Sequence, residues 1–369
     1  MVKYFIFLLS FLVLFTNCKK NNKNDSDRSW KVLPQDTLTR MIVAVDHLNL
    51  KEGPGNDQLS VAELKKGTEL ETTGAISPQK TSILIRGIQR EEPWIEVKTS
   101  NGVKGWIFGG GVKIEGAQNT PVASVLRKER LSNFFDPEKT RQILQYRTDF
   151  FAIENPRDFE NVFIRGTILR DSLVSTIRAK IEIIDHENLP DLTWLEDAMP
   201  GFTLGMIAEG TSVYLFQDYG KMKFLAKETK SIEDDRFFEL ITLVNSGEDI
   251  ERFYPVWFEQ TWDYGGFSLL GSGKHLLALE SMDQLMTEQK LFSNPIFKLK
   301  MKLLNDILKS PTGEYAASAE KIIDEIDAIL AKDFKIISNL ERNSLEKRKT
   351  HFLDPTKFSL KLNMKSTNS

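Results

Sequence analysis

The feature that most constrains the fold is the alternation of short β-rich runs with turn residues between Met41 and Glu115. β-Branched and aromatic residues favour extended backbone, while Gly, Pro and Asn interrupt it every few residues. Asn101-Gly102 separates the last two runs, and both residues tolerate the positive φ of a tight hairpin. The pattern predicts a small all-β barrel. Its strands are expected at Met41–Val45, Thr68–Thr72, Ser82–Gly87, Trp94–Thr99 and Lys104–Phe108.

Three sequence blocks in this segment resemble the bacterial SH3 domain. In chain order they read V-D-H-L-N-L-K-E-G-P-G, V-A-E-L-K-K-G-T-E-L and P-W-I-E-V-K-T-S-N-G-V-K-G-W-I. They match the opening, middle and closing blocks of that family in order and at suitable spacing. Two features depart from the family pattern, a longer insert from Ala75 to Arg90 and the run Gly109-Gly110-Gly111.

The resemblance implies a barrel over residues 41–115 that recognises peptides, commonly of the cell wall, and performs no chemistry. By their position in the family's groove, the candidate ligand-binding residues are Asn49, Glu52, Trp94 and Trp106. The alternative is that the two tryptophans are core residues that define the barrel. The sequence leaves both interpretations open.

From Pro121 onward the sequence changes character. The run Pro121–Asn133 predicts a helix, and Asp136-Pro137-Glu138 supplies the N-cap, first-turn proline and acidic residue of another. We therefore expect a helical linker over residues 116–150. The runs that follow predict an antiparallel sheet with a hairpin turn at Asp218-Tyr219-Gly220. Its strands are expected at Asn161–Arg170, Ser175–Asp185, Phe202–Ala208, Ser212–Phe216, Met222–Lys227 and Phe237–Val244.

After Gly273 the pattern is helical to about Phe352, and Asn294-Pro295 begins one of these helices. Strands followed by helices predict an α+β domain over residues 151–355, with a disordered tail over 356–369. The fold class is therefore multidomain, a small all-β SH3-like barrel followed by an α+β domain with a helical C-terminal part. One helix face is expected to be formed by Ile322, Ile326, Ile329 and Leu330, which follow helical spacing.

Residues 1–17 have the pattern of an export signal. Lys3 precedes a largely apolar run from Tyr4 to Phe15, which is short for crossing a bilayer core of about 30 Å. Thr16 and Asn17 then lead to Cys18, the only cysteine of the chain. The segment resembles a bacterial lipoprotein signal of the looser spirochaete type, which implies a diacylglycerol on Cys18 and an added acyl chain such as palmitate. A cleaved secretory signal followed by a free thiol is the alternative.

Residues 18–40 are expected to form a lipidated, flexible tether, because Lys19–Ser29 is too polar to bury a core. The lipid would hold the protein at the inner or outer membrane of the cell envelope. With Cys18 lipidated, no thiol remains for a disulfide, a cysteine–zinc site or a cysteine nucleophile. The formal net charge of −3 provides no field that attracts nucleic acid, so no nucleic-acid partner is predicted.

No motif points to a cofactor or metal. The four histidines have no second histidine or cysteine at metal-ligand spacing. Asp185-His186-Glu187 is interpreted as a polar turn. The run Gly271-Ser272-Gly273-Lys274 has Ser268 where a phosphate loop needs glycine and His275 where it needs Ser or Thr. We interpret it as a helix start with at most weak anion affinity.

The aromatic run Phe253–Phe267 is the densest unusual feature, with seven aromatic residues. Such a cluster forms either a surface for carbohydrate or peptide, or core around a bent connection, and the sequence favours core. The surface candidates are Trp257, Trp262 and Tyr264.

These patterns predict a membrane-anchored envelope lipoprotein with a non-catalytic SH3-type domain that binds a peptidoglycan peptide or a protein partner. One alternative is an envelope hydrolase with its site in the second domain. Another is a surface-exposed structural or host-facing protein.

Overall fold

The computed structural model describes residues 38–116, 118–181, 191–207, 212–245, 254–261, 265–309 and 313–365. The export signal, Cys18 and most of the tether lie outside these ranges, as do the turn at 185–187, Trp262 and Tyr264. The predictions for those residues stay predictions. Within the described ranges an antiparallel sheet comes first and a mainly helical region follows. None of the helices in these ranges is both long enough and apolar enough to span a bilayer.

The N-terminal sheet contains seven strands. The strands are β1 (Arg40–Val43), β2 (His47–Lys51), β3 (Ser60–Lys65), β4 (Glu69–Ile85), β5 (Ile88–Thr99), β6 (Lys104–Phe108) and β7 (Val112–Ile114). Their spatial order is β3-β2-β6-β5-β4-β1-β7, and each pair of neighbours is antiparallel. The five predicted runs lie on β1, β4, β5 and β6, with at most two residues of a run outside its strand. Two of them, Thr68–Thr72 and Ser82–Gly87, belong to the single long strand β4, and β2, β3 and β7 were not predicted.

β4 and β5 form a long hairpin that contains the insert from Ala75 to Arg90. Its two-residue turn is Arg86-Gly87, with φ of 45° and 75°, so both residues have the positive φ that a type I′ turn requires. Ile85 pairs with Ile88 across this turn. The insert is therefore an extension of two paired strands.

Helix α1 (Pro121–Phe134) connects the sheet to the rest of the molecule. Thr120 caps it by accepting a hydrogen bond from the Ala123 N–H at 3.2 Å, and Pro121 fixes its first turn. Its first half packs in the sheet core through Val122, Ala123 and Leu126, whereas Leu131 and Phe134 pack in a second core. The predicted linker helix thus belongs to both cores.

The second core is formed mainly by helices. Among the described residues, two short strand pairs accompany them, β8 (Phe202–Ile207) with β9 (Ser212–Gln217), and β10 (Phe258–Gln260) with β11 (Gly266–Ser268). The other helices of the described ranges are α2 (Pro137–Phe151), α3 (Pro156–Lys180), α4 (Trp194–Ala198), α5 (Tyr219–Ala226), α6 (Glu233–Val244), α7 (Lys274–Glu288), α8 (Ser293–Lys309), α9 (Ala319–Ala331) and α10 (Asn339–Leu353).

Several predictions for this region are confirmed by the structure. Asp136 caps α2 by accepting from the Lys139 N–H at 2.8 Å. β8 and β9 lie where two strands were expected. On α9, three isoleucines of the predicted face are fully buried and Leu330 is half-buried.

Four strand predictions in the same region are wrong, because those segments are helical. Asn161–Arg170 and the described part of Ser175–Asp185 lie mostly in α3, where buried residues recur at helical spacing from Phe159 to Ile177. Met222–Lys227 lies in α5 and at its C-cap, and Phe237–Val244 lies in α6. Asp218 starts α5 instead of turning a hairpin, and its side chain accepts from the Lys221 N–H at 2.9 Å.

The predicted disordered tail is also wrong for residues 356–365. The Tyr315 N–H donates to the Lys361 carbonyl at 2.9 Å, and the Lys361 N–H donates to the Gly313 carbonyl at 3.0 Å. The Met364 N–H donates to the Tyr315 carbonyl at 3.0 Å. Backbone pairing therefore holds this segment against residues 313–317.

Candidate functional site

Three of the four residues predicted on the sheet are accessible to a ligand. Asn49 is exposed on β2, because the residues on either side of it point into the core. Lys51 pairs with Trp106 on β6, and the Trp106 side chain is half-buried and packs against the edge of the sheet core. Glu52 directly follows β2 and is exposed. We call Asn49, Lys51, Glu52 and Trp106 the sheet face.

Trp94 does not belong to the sheet face. Its side chain is 3% exposed, and its ring meets Phe108 edge-on with 6.1 Å between centroids. Its Nε1–H donates to Thr81 Oγ1 at 2.7 Å, so the polar edge is satisfied inside the protein. Trp94 is therefore a core residue, which was the alternative interpretation of the sequence.

A buried network of charged residues lies at the junction of the sheet and the helices, and it was not predicted from the sequence. Glu92, 1% exposed on β5, accepts from Arg130 Nε on α1 at 3.1 Å. The Arg130 Nη2 group donates to the carbonyls of Gly109 and Val112 at 2.8 and 2.9 Å. Arg90 lies 3.7 Å from Glu92 and donates to the Asp191 carbonyl at 2.6 Å. Burial, and then the neighbouring Arg130, lowers the pKa of Arg90.

A second buried network lies beside it. Asp197 accepts from Arg127 Nε at 2.7 Å and from Arg147 Nη2 at 3.2 Å. Arg127 also donates to the Gln118 carbonyl at 2.9 Å. Burial, and then the nearby Arg127, lowers the pKa of Arg147 to about 10. Both networks join α1 to other elements, so they hold the sheet and the helices together.

The glycine run has a packing role at this junction. A Cβ on Gly109 would lie 2.8 Å from the Pro93 carbonyl oxygen and 2.9 Å from a methyl group of Leu126 on α1. A Cβ on Gly111 would lie 2.6 Å from a methyl group of Leu48. These distances are shorter than van der Waals contact. Gly109 can therefore lie this close to β5 and to Leu126 of α1, and Gly111 this close to Leu48 of β2, only because neither has a Cβ atom.

The aromatic run contributes one wall of a cleft of about 520 Å³. Tyr254 and Phe258 stack with 4.7 Å between ring centroids, and Phe297 and Met301 of α8 form the facing wall. Trp257 also lines the cleft but is only 1% exposed. We call this space the aromatic cleft. Of the three surface candidates in the aromatic run, Trp257 is a core residue, and Trp262 and Tyr264 lie outside the described ranges.

Charged side chains of α8 also line the aromatic cleft. Among its described lining residues are Lys298, Lys302, Lys309 and Asp306. Burial lowers the pKa of Lys302, and the negative charge of Asp306 opposes that shift. The cleft thus combines apolar walls with charged side chains from α8.

Beneath the cleft, Asp306 is hydrogen-bonded to two buried side chains. Its Oδ2 atom accepts from Ser268 Oγ at 2.5 Å and lies 2.8 Å from His275 Nε2. Ser268 and His275 are both 0% exposed. In a serine hydrolase the histidine stands between serine and carboxylate and removes the serine proton. Here the carboxylate stands in the middle, so the cluster fixes Asp306 in place and gives Ser268 no histidine base.

The run Gly271–Lys274 leads into α7, which confirms that it is a helix start. Its backbone N–H groups are not available to an external ligand, because the Glu325 side chain accepts hydrogen bonds from this helix end. The carboxylate of Glu325, 6% exposed on α9, accepts from the backbone N–H groups of Gly271, Gly273 and Leu276. The three distances are 2.5, 3.1 and 3.0 Å. An external anion would have to displace this carboxylate, which corrects the expectation of weak anion binding here.

Across the described ranges, no group of three or more His, Cys, Asp or Glu side chains is arranged to hold a metal ion. Comparisons with protein-family models, with curated proteins and with solved structures found no match to the chain.

The aromatic cleft was missed because its two walls are far apart in sequence. A signal was nevertheless present on α8, where the dipeptides Phe297-Lys298 and Met301-Lys302 are four residues apart. This spacing places an apolar stripe beside a cationic stripe on one helix.

Proposed function

We propose that the chain is a lipid-anchored envelope protein that acts by binding, and that its sheet is an SH3-type unit recognising cell-wall peptide. The sheet face carries the proposal. A half-buried tryptophan with neighbouring exposed amide and carboxylate groups suits a peptide, because the ring contributes area and the polar groups pair with the backbone. The Lys51 ammonium group already donates to the Asn56 and Gln58 carbonyls at 3.2 and 2.9 Å.

The antiparallel pairing of the strands and the positions of the sequence blocks on them support the SH3-type assignment. Residues 40–114 contain seven antiparallel strands, and the sequence blocks that resemble the family lie on them. The hairpin expected at Asn101-Gly102 is formed, with the Gly102 N–H donating to the Thr99 carbonyl at 2.9 Å. The long β4–β5 hairpin extends this unit toward the helices.

The proposal is of a non-catalytic protein held at the membrane through Cys18. The arrangement of Ser268, Asp306 and His275 supports it over a hydrolase, because the carboxylate separates the serine from the histidine. The polar composition of residues 19–29 supports a tether between the lipid and the folded chain.

Co-sedimentation with insoluble peptidoglycan tests this function. The chain beginning at Lys19 retains every described residue and carries no lipid. We expect it to sediment with peptidoglycan, and we expect Trp106→Ala to lower the bound fraction at least tenfold. Leu84→Ala is the matched control, because Leu84 is 65% exposed on the same sheet but lies far along the β4–β5 hairpin.

Two results would refute the proposal. One is that the intact chain fails to sediment with peptidoglycan. The other is that Trp106→Ala and Leu84→Ala bind as well as the parent chain while both retain its melting temperature.

A further inference from the structure

We infer that residues 313–317 are a docking site for an extended strand of a partner protein, and that residues 360–364 of the chain itself occupy this site in the structure. We call residues 313–317 the acceptor segment and residues 360–364 the strap. The site is separate from the sheet face, and the inference stands independently of the proposed function. It rests on the backbone pairing of the acceptor segment, the shallow burial of the strap and the strain in its backbone.

The acceptor segment has a backbone partner on each side. On one side, the Ser268 N–H at the end of β11 donates to the Glu314 carbonyl at 2.9 Å, and the Ala316 N–H donates to the Ser268 carbonyl at 3.0 Å. On the other side, the Tyr315 N–H donates to the Lys361 carbonyl at 2.9 Å. Both neighbours run parallel to the acceptor segment. The acceptor segment therefore presents a strand edge that the strap completes, and such an edge can accept another strand in its place.

The strap binds this edge through its own backbone. The Lys361 N–H donates to the Gly313 carbonyl at 3.0 Å, and the Met364 N–H donates to the Tyr315 carbonyl at 3.0 Å. Hydrogen bonds of this kind depend little on the sequence of the strand that makes them. They are the contacts by which a foreign strand gains affinity for a sheet edge.

The side chains of the strap are only shallowly buried. Leu360 and Leu362, at alternate positions, pack against the helical core and are half-buried. None of the side chains of residues 353–365 is fully buried. The strap can therefore leave the acceptor segment without opening the core, and a ligand strand needs apolar side chains at the same alternate positions.

The backbone at the strap is strained. Ser359, directly before the strap, has a φ of 54°, and Asn363 within it has a φ of 60°. Residues other than glycine rarely adopt positive φ, and holding them there costs free energy. A strand with extended backbone at these positions would bind the acceptor segment without that cost.

This strain favours another protein over a second copy of the chain as the occupant. The strap is joined to its own acceptor segment, so its effective concentration there is high. The strap of a second copy has the same sequence and the same strain, and therefore has no advantage in competition. An extended strand with apolar residues at the positions of Leu360 and Leu362, and without the strained residues, has one.

Native-state hydrogen exchange of the chain beginning at Lys19 tests whether the strap opens by itself. The N–H groups of Tyr315 and Lys361 join the strap to the acceptor segment, whereas those of Ser268 and Ala316 join the acceptor segment to β11. After correction for intrinsic rates, we expect the first pair to exchange at least tenfold faster, because opening of the strap exposes it while the core stays folded. Equal exchange of the two pairs would overturn the inference.

Fluorescence anisotropy with a labelled peptide of residues 359–365 tests the docking site. The receptor is the double variant Leu360→Ser with Leu362→Ser, which weakens the packing of the strap. Leu353→Ser is the matched control, because Leu353 is 70% exposed at the end of α10, shortly before the strap. We expect the double variant to bind the peptide at least tenfold more tightly than the parent or the control, with similar melting temperatures.

Two altered peptides define what the site accepts. Lys361→Pro removes the N–H that donates to the Gly313 carbonyl, so this peptide should bind at least tenfold more weakly. Asn363→Val favours extended backbone, so this peptide should bind at least threefold more tightly than the unmodified one. Equal or weaker binding of the Asn363→Val peptide would contradict the role given to strain.

The inference is overturned if a folded double variant does not bind the peptide, if the parent binds it as tightly, or if the Lys361→Pro peptide binds like the unmodified one. A dimer of the parent chain that the peptide dissociates would show that a second copy is the occupant, which would overturn the choice of another protein. Trp106→Ala separates the two proposals, because it should abolish peptidoglycan binding and leave the exchange rates at the strap unchanged.

Discussion

At the scale of single residues, Glu325 shows that a glycine-rich run at a helix start can be part of the internal packing instead of a ligand site. Helix α7 begins at a glycine-rich turn, and the N–H groups at that end attract negative charge. The Glu325 carboxylate accepts from three of them and is almost entirely buried. The motif is therefore part of the packing between α7 and α9.

We predict that Glu325→Gln destabilises the fold. The amide keeps the shape of the side chain but loses the charge that the helix end and the N–H donors favour. The free energy of unfolding, measured with urea, should fall by roughly 1–3 kcal/mol. Asp324→Asn, on the exposed side of α9, should leave it almost unchanged. Equal losses in the two variants would contradict this role of Glu325.

His351 on α10 is predicted to make stability depend on pH. Burial, followed by the charges of Arg348 and Lys347, lowers its pKa from 6.5 in the folded protein. Below pH 6.5 the unfolded chain therefore binds the proton more readily, so this contribution destabilises the fold as pH falls. Above that pH both states carry a neutral imidazole and the contribution vanishes.

The variant His351→Phe isolates the effect, because the ring of His351 stacks on Phe358 with 3.9 Å between centroids and phenylalanine can keep that stacking. Urea midpoints of parent and variant are compared from pH 8 to pH 5. The parent should lose stability relative to the variant only in the acidic part of that range. A difference that is constant with pH would contradict the assigned role.

At the scale of secondary-structure elements, α1 and the β4–β5 hairpin form the junction of the molecule. Glu92 from the hairpin lies between Arg90 and Arg130, and the glycine run lets α1 lie close to the sheet. Removing one member of a buried ion network leaves the remaining charges without compensation.

We predict that Glu92→Gln is strongly destabilising, because it leaves two buried guanidinium groups with less negative charge. The expected loss in the free energy of unfolding is about 3–5 kcal/mol. Glu129→Gln is the matched control, since Glu129 pairs with Lys80 across the same junction but is more accessible, and it should cost about 1 kcal/mol or less. Losses of similar size would show that the buried network does not stabilise the junction.

Local signals predicted some elements well. The hairpin at Asn101-Gly102, the Asp136 cap of α2 and the isoleucine face of α9 each depend on residues close in sequence. The error in α3 arose because its Val, Ile and Phe residues suggest strands, although their burial follows a helical period. The cap at Asn155, which accepts from the Arg157 and Asp158 N–H groups, was the overlooked evidence.

At the scale of the whole molecule, the sequence predicted a small all-β barrel followed by an α+β domain with a helical C-terminal part. The structure has an antiparallel sheet followed by a mainly helical region, and the sequence did not predict how the two are joined. The junction depends on pairs such as Glu92 with Arg130, which lie far apart along the chain. The aromatic cleft needs residues 254–258 and α8 together, and the burial of Trp94 depends on a partner in the extended hairpin. Local sequence patterns carry no information about contacts between residues that are far apart along the chain.

Binding of cell-wall peptide at the sheet face can be measured by titration calorimetry of the chain beginning at Lys19 with soluble peptidoglycan stem peptides, with parent and Trp106→Ala side by side. We expect saturable binding by the parent and at least tenfold weaker binding by the variant. If the parent does not bind, or if a folded Trp106→Ala variant binds equally well, the sheet face is not a site for cell-wall peptide.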